Sequence, residues 1–145
     1  MPLDISALLV GPGCRAPLPP PATWGEGGCR CGHCNRGYAL HGGIPRFVET
    51  EAYAGSFGFE WQRHRRTQLD AGPDGESERT FRQKTGFTPG ELHGKLVLDV
   101  GCGMGRFAEV ASRWGAEVVA VDLSLAVEAA RENLAERPNV AVVQA

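Results

Sequence analysis

The sequence predicts an α/β fold with a parallel sheet, and three features of residues 96–124 predict it. An apolar run, Leu96 to Val100, carries Asp99 near its end. It breaks into the turn Gly101-Cys102-Gly103-Met104-Gly105, which opens onto a helical pattern. A second apolar run then ends in Asp122. The order strand, glycine turn, helix, strand, acid is how an α/β sheet builds a nucleotide pocket at the carboxyl ends of its strands.

Each element has its own reason. Val97, Leu98 and Val100 flank Asp99 without turn residues, the pattern of a buried parallel strand. Three glycines at alternate positions let the backbone turn sharply and approach a ligand with no Cβ in the way. Phe107, Val110, Ala111 and Trp114 share one helical face. Gly115 is placed to end that helix in the left-handed conformation. Residues 117–121 are a second strand with Asp122 at its tip. Ser124 is placed to cap a helix holding Leu125, Val127, Ala130 and Leu134. Pro138 follows that helix, and residues 140–143 read as a third strand. The whole is a β-α-β-α-β unit, the first half of a Rossmann-like sheet.

Two cofactors compete for the glycine turn. Gly103-x-Gly105-x-x-Ala108 is a relaxed dinucleotide pattern, with Asp122 at about the expected ~20 residues beyond. The strict pattern fails, because Arg106 stands where a last glycine counted from Gly101 belongs. An ionised acid at Asp122 is acceptor-only and suits the two hydroxyls of a ribose. Residues 98–107, Leu-Asp-Val-Gly-Cys-Gly-Met-Gly-Arg-Phe, resemble motif I of class I S-adenosylmethionine-dependent methyltransferases. Val121-Asp122-Leu123-Ser124 resembles the acidic-loop motif that follows it. The resemblance implies that Asp99 shapes the turn near the cofactor's amino group. It implies that Gly101, Gly103 and Gly105 line the methionine portion, with Cys102 beside them. Asp122, with Leu123 next to it, would then hold the ribose. Cys102 between two glycines reads as a small residue fitting a tight turn, with no base near it in sequence.

Composition narrows the classes. The chain has 145 residues and a formal net charge of −2, which gives no electrostatic case for general nucleic-acid binding. No apolar run approaches membrane-span length. The N-terminus lacks the charged and apolar regions of a signal peptide, so a cytoplasmic location is expected. Four of the five cysteines crowd into residues 14–34, which in that compartment points to metal rather than disulfides.

The N-terminal region opens with a Pro/Gly-rich stretch, residues 11–28, of loop composition. Cys31-x-x-Cys34 then has zinc-knuckle spacing, since two thiolates on a tight turn can face one tetrahedral ion. Cys14 is expected as a third ligand at the head of a first knuckle, whose partner position is Pro17. Cys29 completes the candidate set Cys14, Cys29, Cys31 and Cys34, with His33 and His41 as substitutes. Cys31-x-x-Cys34 followed by Tyr38 and residues 43–48, Gly-Ile-Pro-Arg-Phe-Val, resembles the zinc-ribbon-like domain related to the small activating partner of tRNA and protein methyltransferases. The alternative is a ribbon that packs Tyr38, Ile44 and Phe47 without metal.

The expected domains are a zinc-ribbon-like region (1–49), a helical lid or linker (50–94) and a partial cofactor-binding region (95–145). In the middle part, Phe59 and Trp61 are candidate lid residues, and Arg63, His64, Arg65 and Arg66 form a basic cluster. Ser77 starts an expected helix through Phe81 to Lys84. Thr88-Pro89-Gly90-Glu91 has capping-box spacing. The resembled fold has a seven-stranded sheet, so the three strands here are expected to be part of one, inactive alone. The expected activity is methyl transfer from S-adenosylmethionine, a small-molecule cofactor, to an acceptor the sequence leaves open. A dinucleotide-dependent oxidoreductase and a non-catalytic zinc-ribbon binding module are the competing readings.

Overall fold

The computed structural model describes residues 3–48 and 75–145. The strands are β1 (Cys29–Arg30), β2 (Gly37–His41), β3 (Ile44–Arg46), β4 (Leu96–Val100), β5 (Glu117–Asp122) and β6 (Val140–Gln144). The helices are α1 (Glu76–Thr85), α2 (Pro89–Leu92), α3 (Arg106–Arg113) and α4 (Ala126–Asn133). All six strands join one sheet in the order β1-β2-β3-β6-β5-β4. Strands β4, β5 and β6 pair in parallel, as the α/β pattern predicts. The N-terminal hairpin joins them because β3 pairs in parallel with β6, Arg46 opposite Gln144.

Alternation along the strands sorts the core into two layers. Val118, Ala120, Val140 and Val142 face the helices, where Val110, Ala111, Trp114, Val127, Ala130 and Leu134 bury their stripes. Phe81 of α1 packs edge-on against Trp114 at 5.3 Å between ring centroids. Val119 and Val143 face the other way, onto Ile5, Leu9, Leu18, Trp24 and Tyr38. The loop-rich N-terminal region therefore covers the face of the sheet that helices cover in most parallel sheets.

The helix ends follow their local chemistry. Thr88 and Glu91 form the reciprocal capping box, with the Thr88 N–H 2.8 Å from Glu91 Oε2. Gly115 follows α3 at φ 84°, in the left-handed region. The N-cap of helix α4 is Leu125, one residue after the expected cap, although Ser124 Oγ still accepts the Ala126 N–H at 3.2 Å.

One expectation needs correction. Strand β4 is parallel but not buried on both faces. It is at the end of the sheet order, and Leu96, Leu98 and Val100 are 54%, 63% and 75% exposed. They share the face of Val119 and Val121, and the N-terminal layer, among the described residues, leaves them exposed. Among the described residues, no helix is long and apolar enough to cross a membrane.

Candidate functional site

The site forms where β4 and β5 end side by side. The carbonyl of Val121 accepts the N–H groups of Gly101 at 2.8 Å and Cys102 at 3.0 Å, which ties the glycine turn to the tip of β5. Gly101, Gly103 and Gly105 all have positive φ, at 76°, 54° and 90°. A Cβ on Gly105 would stand 2.6 Å from Leu134 Cδ1, so this glycine lets α3 start directly against α4. Beside Gly101 the space is open. Asn133 Nδ2 holds the Met104 carbonyl at 3.1 Å from the side of α4.

Asp122 locks the turn to the acidic loop. Its Oδ2 accepts the Gly103 N–H at 2.8 Å. Its Oδ1 accepts both the N–H and the hydroxyl of Ser124, at 2.8 and 2.7 Å. A carboxylate offers about four acceptor positions, so roughly one remains, on Oδ2. In this conformation Asp122 can take one ribose hydroxyl; accepting both, as the sequence predicts, requires Ser124 to release Oδ1.

Asp99 points from β4 into the same region. Its Oδ2 is buried without a hydrogen-bond partner among the described residues. Burial pushes its carboxyl above the usual range, against a hydrogen bond from the Ala108 backbone N–H. A buried carboxylate oxygen with no donor is costly. A ligand that brought a cationic or N–H donor would match it. Because the folded-state value is raised, Asp99 favours the fold most below the unfolded carboxylate range, and this contribution is lost as pH rises through the folded value. Asp99→Asn is therefore expected to raise the melting temperature at pH 7, with a smaller gain at pH 4, while weakening ligand binding. Thermal melts at the two pH values check it.

Cys102 stands in an environment that disfavours a reactive thiolate. It is 7% exposed. Burial, with Asp99 and Asp122 nearby, pushes its thiol up to about 12. Its Sγ donates to the Gly103 carbonyl at 3.6 Å. Leu123 is exposed at the rim.

A second layer of residues, missed by the sequence reading, steadies the acidic loop. Gln144 at the end of β6 donates from Nε2 to the Leu123 carbonyl at 3.0 Å. Arg46 of β3 donates from Nη1 to Gln144 Oε1 at 2.8 Å, and its Nη2 meets Glu128 at 3.2 Å. Gln144 and Arg46 are both buried. The available signal was a polar residue closing each of two apolar strand patterns.

The cysteine cluster lies elsewhere, in the N-terminal region. The sulfurs of Cys14, Cys31 and Cys34 lie within 4.8 Å of one another, with Cys14 and Cys31 3.6 Å apart. Cys29 lies on β1, outside this group. The backbone N–H groups of Cys34 and His33 hold the Cys31 thiol down at about 7. The expected place of Cys14 at the head of a first knuckle, with Pro17 at the broken partner position, needs correction. Cys14 closes the turn 11–14 rather than opening one at 14–17, because the Arg15 N–H bonds back to the Gly11 carbonyl at 2.7 Å. Tyr38 and Phe47 do pack together, 5.1 Å between ring centroids, whereas Ile44 packs into the helix-side core. The candidate lid residues Phe59 and Trp61, and the basic cluster at 63–66, lie outside the described residues.

Comparison with known proteins bears on the glycine turn and not on the cysteines. Residues 97–145 match the family model of the methyltransferase domain. That stretch holds the glycine turn, Asp99, Asp122 and strands β5 and β6. A search of curated proteins finds no match. Similar solved structures include protein arginine methyltransferase 10 of Arabidopsis thaliana, 27% identical over 48% of this chain and 20% of that chain, with a TM-score of 0.40. The glycopeptide N-methyltransferase MtfA, in complex with S-adenosyl-L-methionine, is 28% identical over 53% of this chain and 33% of that one, with a TM-score of 0.40. Magnesium protoporphyrin IX methyltransferase of Synechocystis PCC 6803 is 25% identical over 60% and 45%, with a TM-score of 0.41. The chain thus spans less than half the length of these proteins. At such TM-scores the functional reading rests on the site and the family match.

Proposed function

We propose that this chain carries the cofactor half of an S-adenosylmethionine-dependent methyltransferase. The single observation behind the reading is the pairing of Asp99 with the glycine turn. Among the described residues, a buried carboxylate oxygen without a partner stands below a positive-φ turn whose first glycine borders open space. That arrangement suits a ligand with an ammonium group better than a pyrophosphate, which would bring negative charge toward Asp99 and Asp122.

In this reading Asp99 accepts from the cofactor's amino group, directly or through water. Gly101, Cys102, Gly103 and Gly105 form the floor under the methionine portion. Asp122 takes a ribose hydroxyl on Oδ2, and Leu123 covers the rim. Bound S-adenosylmethionine supplies a methyl group already activated on a sulfonium. The residues of the chain then have to orient the ligand and exclude water, and no acid–base pair is needed for the leaving group. The methyl acceptor is left open, and the acceptor side of the pocket is not assigned to any described residue.

Titration calorimetry with S-adenosylhomocysteine, comparing the wild type with Asp122→Ala, tests the reading. The variant is expected to lose roughly 1–3 kcal/mol of binding free energy, the range for charge-assisted hydrogen bonds. Equal affinities would remove Asp122 from the site.

A further inference from the structure

The N-terminal region contains the same turn twice. At 31–36, the Cys31 N–H donates to the Arg36 carbonyl at 2.8 Å and the Asn35 N–H to the Cys31 carbonyl at 2.9 Å. At 11–16, the Gly11 N–H donates to the Ala16 carbonyl at 2.9 Å and the Arg15 N–H to the Gly11 carbonyl at 2.7 Å. Asn35 and Arg15, at matching positions, have φ 60° and 59°, although neither is glycine. Position 14 thus corresponds to Cys34, and position 11 corresponds to Cys31. Two such turns face each other and make four ligand positions, of which Gly11 lacks a thiol.

The missing thiol has a stand-in. A Cβ on Gly11 would stand 3.0 Å from Cys14 Sγ, 3.8 Å from Cys31 Sγ and 3.1 Å from Tyr38 Oη. Position 11 therefore points into the sulfur cluster, and the Tyr38 hydroxyl reaches the same spot. Tyr38 is 5% exposed, and its hydroxyl has no hydrogen-bond partner among the described residues. A buried phenol without a partner is costly unless something at that spot engages it.

We propose that Cys14, Cys31 and Cys34 bind one zinc ion, with the Tyr38 hydroxyl, in place of a fourth cysteine, facing its fourth coordination position. The 3.6 Å between Cys14 and Cys31 Sγ is near the about 3.8 Å edge of a tetrahedron with ~2.3 Å Zn–S bonds. Three thiolates are soft ligands and exclude calcium or magnesium. The thiolates are also oriented in advance. Cys31 Sγ receives the N–H groups of His33 and Cys34, and Cys14 Sγ receives that of Ala16. Three protein ligands beside a hydroxyl make an open type of centre, unlike the closed four-cysteine site of a structural ribbon. The ion would clamp the two turns together and steady the layer that covers Val119 and Val143. This centre is independent of the cofactor reading.

The test uses the full chain purified under reducing conditions without chelator. Elemental analysis is expected to find about one zinc per chain. Cys34→Ser, at an exposed position, is expected to lose it, and Cys29→Ser to keep it. In cobalt-substituted protein, Tyr38→Phe is expected to shift the ligand-field bands while keeping the thiolate charge-transfer intensity. The Gly11→Cys, Tyr38→Phe double variant is expected to raise that intensity by about a third, one thiolate added to three. No uptake of zinc or cobalt by the reduced protein would overturn the site. Equal zinc loss in Cys29→Ser and Cys34→Ser would overturn the ligand set. A Tyr38→Phe spectrum identical to wild type would overturn the role of the hydroxyl.

Discussion

Gly103→Val is expected to reduce the affinity for S-adenosylmethionine by about 100-fold or more, roughly 3 kcal/mol at 1.4 kcal/mol per tenfold. Two effects combine. Gly103 sits at φ 54°, where a β-branched residue is strained by about 1–3 kcal/mol. Relief of that strain rotates the N–H away from Asp122 Oδ2, which it now meets at 2.8 Å. The acidic loop then loses its tie to the turn, and the valine side chain occupies the proposed floor of the site. Calorimetry, with circular dichroism to show that the fold persists, checks the result. Unchanged affinity in a folded variant would mean that the ligand lies elsewhere.

The largest loss of stability is expected from Gly28→Ala. At Gly28, φ is 86° and an added Cβ would stand 1.9 Å from the Tyr38 carbonyl oxygen and 2.7 Å from Ala39 Cα. Both obstacles are backbone atoms, so no side-chain rotation relieves them. The β1–β2 pairing, Cys29 opposite Tyr38, has to open. Tyr38 and Phe47 would then leave the layer that packs on Val119 and Val143. A cost of about 4 kcal/mol or more is expected, in the range where single substitutions unfold small domains. A melting temperature within a degree or two of wild type would contradict this account of the hairpin.

Local chemistry carried most of what was legible in the sequence. Phe107, Val110, Ala111 and Trp114 are one stripe at helical spacing, and the same four residues pack into the helix-side core. Thr88 and Glu91 lie three residues apart, and the capping box forms. The glycine turn and its two acids were legible because their spacing is short and their residue types are specific. Long-range facts were not. The parallel pairing of β3 with β6 rests on Arg46 opposite Gln144, residues with no local signal of partnership. The exposure of Leu96, Leu98 and Val100 depends on how far another part of the chain reaches, which an apolar run cannot reveal. The first cysteine turn was misread for a related reason. Its head is Gly11, and counting thiols cannot find a position that lacks one; the backbone hydrogen bonds do.

The glycine turn with Asp99 is proposed to serve S-adenosylmethionine. This role is tested most directly by titrating the chain, side by side under one buffer, with S-adenosylmethionine and with NAD. Saturable binding of S-adenosylmethionine that weakens in Asp99→Asn is expected, with much weaker binding of NAD. Tighter binding of NAD, or S-adenosylmethionine binding unaffected by Asp99→Asn, would contradict it.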